Sequence, residues 1–480
     1  MRTALLSGAR TALLAGPTVL AFFSGGYFDG PRAWAGLIAW ALVAIALVAA
    51  PWRPLGRGGW LAVGGLAALA AWTLLSTTWA PIAGNAYHSG QIVFLYTGAL
   101  LAAVLLLRSD SPLRAVEPAL AAGVLIVIGY GISERLVPGV LQFARSVSAE
   151  GRLEQPLTYW NAMGELAAVG CVLVARLAGS GGRPPAMRAA AAAAAAPLGM
   201  GLYLSFSRGA LFACAAGLIS LVVLAPRSEQ LRALVVCVTA GVLAAVAAAP
   251  FRGVTAIAGS ASVREREGAI VLALLVLIAV VAAVVQWRLA GRERSTALAL
   301  PRRAPWIALA LVCAGLALAI VVGSKENSAA RLSNGATRLA TLQSNRYDYW
   351  QVALRVFGNE PFHGVGAGNW SVYWLRERTV KDFAQDAHSL PLQTLAELGV
   401  VGALLLLAFL AGVALSARDA LRTAPAQAAG LIAGFIAYIA HAPLDWDWEM
   451  PAVTLVALVL AGAVIALAAT APRRSAAPRA

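Results

Sequence analysis

Long apolar runs recur along almost the entire chain, each closed by a polar turn. Fourteen are read, at roughly 11–27, 33–50, 60–78, 90–107, 116–133, 158–178, 187–204, 207–225, 232–250, 268–287, 305–323, 391–416, 427–442 and 451–470. Nearly all reach 17 residues, enough helix to cross about 30 Å of hydrocarbon. Backbone in lipid must satisfy its own hydrogen bonds, so these runs predict helices rather than open strands. The expected fold class is all-α: a polytopic membrane helix bundle of about 14 transmembrane helices with one long extracytoplasmic loop.

That loop is where the pattern breaks. Residues 324–390 form the only long polar stretch, with Lys325, Glu326, Arg331, Arg338, Arg346, Asp348, Arg355, Glu360, Arg376, Glu377, Arg378, Lys381, Asp382, Asp386 and two of the four histidines. Loops of this size tend to carry function. Within it, NRYDYWQVALRVF (345–357) sets Tyr347, Trp350, Leu354 and Phe357 at helical spacing, predicting a short amphipathic helix on the bundle or in the interface. EPFHGVGAGNW (360–370) follows with a proline and three alternating glycines, predicting tight turns. The chain therefore divides into N-terminal transmembrane helices (1–150), central transmembrane helices (151–323), the loop (324–390), and C-terminal helices with a cytoplasmic tail (391–480).

Composition agrees with a membrane protein: 60% of the 480 residues are hydrophobic, and the mean hydropathy is +0.76. The net charge of +15 at first suggests nucleic acid. The arginines, however, are read as spread over alternate loops and not gathered into one basic patch. They include Arg53 and Arg57; Arg108 and Arg114; Arg176, Arg183 and Arg188; Arg227 and Arg232; Arg288 to Arg303; Arg418 and Arg422; and Arg473, Arg474 and Arg479. This positive-inside pattern puts both termini in the cytoplasm and the long loop outside, and it excludes nucleic acid as the partner. Arg2 and Arg10 before the first apolar run read as an uncleaved first helix. Cys171, Cys214, Cys237 and Cys313 all fall inside predicted helices without metal-ligand spacing, so no disulfide framework is expected. The alanine run 189–196 is simply helix-forming.

The candidate chemistry lies at the outer ends. Other outer segments, 134–157, 205–209, 251–267 and 441–451, are expected to converge on the long loop. Arg208, in YLSFSRGALFA, reads either as a helix-end arginine reaching for water or as an anion site, since a guanidinium pairs bidentately with phosphate. Arg346, at the start of the amphipathic helix, reads as a solvated charge or as the second arm of a diphosphate clamp. His388 stands just before Ser389 and Pro391, which suit the cap and first turn of a helix. A helix N-terminus favours the neutral imidazole, able to take a proton from a hydroxyl. His363, in the glycine turn, is a weaker candidate, and His88 and His441 read as interfacial. Asp445 and Asp447, in DWDW, form a nominal Asp-x-Asp, or else belong to an aromatic belt with Trp446 and Trp448. Asn161 and Glu165, near the outer start of the sixth run, point to a cavity.

In order, SFSRGALFA, NRYDYWQVALRVFGNEPFHGVGAGNW and AHSLPLQTLAELGVVG resemble the O-antigen ligase and polymerase superfamily, as do GRLEQPLTYWNAMG and DWDWEMP. The resemblance spans about 150–451 and is most specific in the loop. It implies a C-type, metal-independent glycosyltransferase without cofactors in the bacterial inner membrane. Such an enzyme moves a glycan from an undecaprenyl-diphosphate carrier to a lipid, glycan or protein acceptor hydroxyl. By motif, Arg208 and Arg346 would hold the diphosphate, Arg152 and Asn161 would line the substrate site, and His388 would activate the acceptor. Two departures stand out: Ser389 replaces the commoner asparagine, and fourteen helices exceed the twelve or so typical of ligases. A repeat-unit polymerase of the same superfamily shares the constellation. A transporter or flippase of lipid-linked glycan is the alternative from another class, though no internal duplication supports it; a purely structural membrane scaffold is the remaining one. If the arginines carry the charge, Asp445→Asn should be mild.

Overall fold

The computed structural model describes residues 1–292, 296–301, 303–323, 339, 345–378 and 381–470. Lys325, Glu326, Arg331 and Arg338 of the predicted loop lie outside the described residues, as do Arg294, Arg302 and the tail arginines Arg473, Arg474 and Arg479. In chain order the helices are α1 (Arg2–Ala21), α2 (Asp29–Ala49), α3 (Arg57–Leu75), α4 (Ala83–Leu106), α5 (Asp110–Leu136), α6 (Trp160–Ala178), α7 (Pro185–Leu204), α8 (Arg208–Leu224), α9 (Ser228–Ala248), α10 (Arg252–Thr255), α11 (Ala261–Arg292), α12 (Ala304–Gly323), α13 (Arg346–Asn359), α14 (Trp370–Glu377), α15 (Leu390–Thr423), α16 (Pro425–His441) and α17 (Pro451–Thr470).

Each apolar run overlaps one helix. Helix α1 ends at Ala21 instead of continuing to 27. Gly25 and Gly26 adopt positive φ there and turn the chain towards α2. Among the described residues, ten helices are long and apolar enough to cross a membrane. Four helices that coincide with predicted runs, α7, α8, α12 and α16, are not in that set; α8 and α16 have only 17 residues each. Among the described residues, length and composition support ten spans, and the count of fourteen stays an expectation.

Helices α6 and α17 run through the centre, buried along most of their length. Helices α1, α2, α9 and α11 are largely exposed and carry apolar side chains such as Val235, Val242, Leu277 and Val281 outward, as lipid contact requires. Tight crossings use small residues. Gly58 and Ala62 of α3 meet Gly412 and Ser416 of α15, and Gly65 meets Ala408 and Phe409, so closely that a Cβ on Gly412 would lie 2.2 Å from the Ala62 nitrogen.

Outside this core, α13 and α14 build a second, smaller one with the start of α15. It holds Tyr349, Val352, Ala353, Val356, Trp370, Trp374 and Ala396. Helix α13 is amphipathic as predicted, but it docks through Tyr349, Val352, Ala353 and Val356, while Leu354 is 52% exposed. The chain carries two interleaved apolar stripes, and the buried one is the stripe that meets Trp370 and Trp374, stacked at 5.6 Å.

This outer unit is locked to the bundle at a break in α15. Gly399 sits at φ 64°, ψ −163°, a conformation essentially limited to glycine. The groups freed by the break are taken up by the glycine turn. Val365 and Gly366 donate to the Ala396 and Glu397 carbonyls at 3.1 and 2.8 Å, and Val400 donates to Pro361 at 2.8 Å. Trp72 of α3 reaches the Leu398 carbonyl at 3.1 Å. The Glu397 carboxylate accepts from the Gly368 and Trp370 amides at 2.8 and 3.2 Å. Non-helical backbone is thereby satisfied by protein, the condition under which a membrane helix tolerates it.

Candidate active site

At the end of the bundle that carries α13 and α14 a cavity of about 520 Å³ opens where four segments converge. These are the α1–α2 turn with Tyr27, the 146–161 segment, the loop from Asn345 to His388, and the α16–α17 turn with Trp446. Of the segments expected there, 134–157 and 441–451 contribute, while 205–209 and 251–267 supply none of the described lining residues. The α1–α2 turn was not expected, because its Tyr27 and Phe28 carry no charge to mark them.

His388 is fixed from several sides. It adopts a positive φ of 53°. Its Nδ1 lies 2.9 Å from the Asp386 carbonyl. A carbonyl can only accept, so Nδ1 carries the proton and Nε2 is the basic atom. Gln393, in the first turn of α15, reaches back to donate to Asp386 Oδ1 at 3.0 Å and accepts from the Ala387 amide at 3.2 Å. Its role resembles that of the reciprocal residue of a capping box. Ser389 is the N-cap as predicted, although its hydroxyl makes no capping bond. The ring lies beside Tyr349, 5.2 Å away, and Trp446, 6.2 Å away. Burial lowers the His388 pKa below its ordinary value; Asp445 opposes the shift and Arg346 adds to it. Burial also pushes the Asp386 carboxyl up to about 6, against the Gln393 bond and helped by Asp445.

Arg346 begins α13 and points across the cavity to Asp445, Nη2 to Oδ2 at 2.6 Å. The other oxygen of Asp445 accepts from the Tyr159 hydroxyl at 2.7 Å, which in turn accepts from Asn161 Nδ2 at 2.7 Å. Asp445 is held below the usual carboxylate range: burial would raise it, but Arg346, His388 and His441 prevail. Asn161, Tyr159, Asp445 and Arg346 thus form one hydrogen-bonded chain from α6 to the loop. Arg152 is buried with its guanidinium 3.5 Å from the Trp160 ring centroid and its Nε donating to the Ala149 carbonyl at 2.8 Å.

The structure brings His388, Arg346, Arg152 and Asn161 to this cavity. Arg208 and His363 are not among the described residues lining it. Arg208 is the first residue of α8, and its neighbour Gly209 abuts His441. His363 stays in the glycine turn, Nδ1 2.7 Å from the Gly364 carbonyl and the ring against Trp79. The two aspartates of DWDW turn to different partners: Asp445 to Arg346, Asp447 to His441. That gives Asp445 a structural task, holding Arg346 and Tyr159. His441 is corrected as well. It is fully buried, not interfacial, bonded to Asp447 and 3.8 Å from Glu165. Glu165 is fully buried too, packed into this cluster rather than lining the cavity. Sequence reasoning missed Tyr27, Tyr159, Tyr349 and Asp386. Only Asp386, two residues before the histidine, offered a signal.

No curated protein matches the chain. Residues 254–407 match the family model described as O-antigen ligase, a stretch that includes Arg346, His363 and His388 and ends within α15. Together with the all-helical, multi-pass architecture, this match supports placing the chain in the O-antigen ligase superfamily.

Proposed function

We propose that the chain is a glycosyltransferase that moves a glycan from undecaprenyl diphosphate to an acceptor hydroxyl on the extracytoplasmic face. The observation that carries this reading is the convergence, in one cavity at the end of an apolar bundle, of the His388 imidazole with Arg346 and Arg152. A lipid-linked donor needs that placement: its tail stays in the bilayer and its diphosphate sits at the outer boundary.

In this mechanism His388 Nε2 takes the proton of the acceptor hydroxyl. The hydroxyl oxygen bonds to the anomeric carbon as the bond from that carbon to the diphosphate oxygen breaks. Arg346 and Arg152 stabilise the charge that grows on the leaving diphosphate, which is often the larger electrostatic contribution. Asp445 and Tyr159 orient Arg346. The family match supports an enzyme of ligase or polymerase type.

The test is reconstitution of the purified protein with a defined undecaprenyl-diphosphate glycan, measuring release of the carrier diphosphate against candidate lipid, glycan and repeat-unit acceptors. Transfer that survives EDTA and depends on His388 supports the proposal. Loss with EDTA, restored by Mg²⁺ or Mn²⁺, moves the charge-bearing role from the arginines to a metal.

A further inference from the structure

His441, Asp447 and Glu165 form a fully buried cluster for which the proposed mechanism has no use. His441 ends α16, Asp447 lies in the α16–α17 turn, and Glu165 stands in the second turn of α6. The His441 Nδ1–H donates to Asp447 Oδ2, and Glu165 Oε2 lies 3.8 Å from the same nitrogen. Beyond that bond, both carboxylate oxygens of Glu165, Oδ1 of Asp447 and Nε2 of His441 have no hydrogen-bond partner among the described residues. Unsatisfied polar atoms are costly to bury. Buried ionic groups are also weak evidence for stability, and their best-attested use is to fix register. The cluster therefore calls for a role in position.

What it positions follows from the chain. Between His441 and Asp447 lie Asp445, which pairs with Arg346, and Trp446, which lines the cavity. The two ends of this turn are held by different helices. Leu390, at the start of α15, donates to the Ala442 carbonyl at 2.9 Å, and the Thr454 hydroxyl of α17 donates to the Asp447 carbonyl at 2.7 Å. The His441–Asp447 bond joins the ends directly, across six positions. The ring is wedged as well. A Cβ on Gly209, in the first turn of α8, would lie 2.8 Å from His441 Nε2. An imidazole bonded at one edge and blocked at the other has one place to stand. The turn it closes presents Asp445 to Arg346, Oδ2 to Nη2 at 2.6 Å.

We infer that His441 is a positioning residue: by closing the 441–447 turn it sets where Asp445 stands, and through Asp445 where Arg346 stands in the cavity. The inference rests on the proposed transfer site only for its consequence in catalysis. The purified full-length protein in neutral detergent is treated with phenylglyoxal, which modifies guanidinium groups, and modification of Arg346 is followed by peptide mass spectrometry. The Arg346 side chain is 22% exposed and ion-paired, so loss of the pairing should make it more reactive. Arg145, paired with Glu134 at 2.6 Å and not part of the turn, reports general loosening. His441→Ala removes the bond to Asp447. Gly209→Ala displaces the ring while keeping every titratable group, and it decides the matter if His441→Ala fails to fold. In His441→Asn the amide nitrogen stands as many bonds from Cα as Nδ1 does, and it still donates to Asp447. Losing one charge-assisted hydrogen bond is an effect of about tenfold. Modification of Arg346 should therefore rise about tenfold in His441→Ala and Gly209→Ala and stay near the wild-type rate in His441→Asn, with Arg145 unchanged throughout. In a transfer assay the KM for the donor should follow the same order of variants. An unchanged Arg346 in the folded variants, a parallel rise at Arg145, or His441→Asn behaving like His441→Ala overturns the inference. Because the labelling needs no substrate, its failure is separate from failure of the proposed glycosyltransferase.

Discussion

His388 keeps its proton on Nδ1 because the Asp386 carbonyl there can only accept, which leaves Nε2 to do any chemistry. Under the proposed mechanism, His388→Ala should lower turnover by about 10²–10⁴-fold, the usual contribution of a positioned base, with donor binding little changed. His363→Ala should be mild. The base must be unprotonated, and its pKa is depressed, so kcat/KM should hold as pH falls to 6.5 and decline only below that ordinary imidazole value. Asp386 titrates at about 6 in the same window, and an Asp386→Asn profile separates the two groups. An acid limb centred above 6.5 would remove His388 from the role of base. Asp445→Asn should cost far more than its place in a surface turn suggests. Asp445 is 1% exposed and pairs with Arg346, so removing its charge breaks a buried ion pair that orients the guanidinium. The expected readout is a raised KM for the donor with a lower kcat.

At the scale of elements, the helices were legible because long apolar runs have few alternatives in a membrane. The face of α13 was less so, since both of its stripes satisfy helical spacing and only the positions of Trp370 and Trp374 select one. The chain from Asn161 to Arg346 was not legible. It joins residues nearly two hundred positions apart, and Tyr159 announces nothing by its type. The break in α15 was hidden inside a continuous apolar run, where Gly399 looks like any helix glycine. Gly399→Ala tests it. A Cβ there would meet the Phe362 carbonyl oxygen at 2.2 Å in a backbone region closed to alanine. A loss of about 1–3 kcal/mol from strain alone is expected, read as a lower melting midpoint together with reduced transfer. Gly358→Ala in α13 meets nothing within 4 Å and should be neutral or slightly stabilising.

For the molecule as a whole, the alternation of charged ends divides the bundle into two polar faces. One holds His388 and Arg346, the other the cluster of Arg114, Arg176 and Arg183. A membrane-impermeant maleimide applied to intact cells should therefore label Gly358→Cys and miss Gly182→Cys, both of which are exposed positions. The reverse pattern would invert the orientation and place the candidate site in the cytoplasm. The break at Gly399 also decides what the bilayer can reach. From Val400 to Thr423 the helix is about 36 Å long at 1.5 Å per residue, a full crossing by itself. The nine residues before it are spare length, and they are bonded to the glycine turn. His388 therefore stands on a pedestal whose height is set within the protein and not by the membrane. A bilayer a few ångströms thinner or thicker tilts or strains the lower segment and leaves the spacing of imidazole and arginines unchanged.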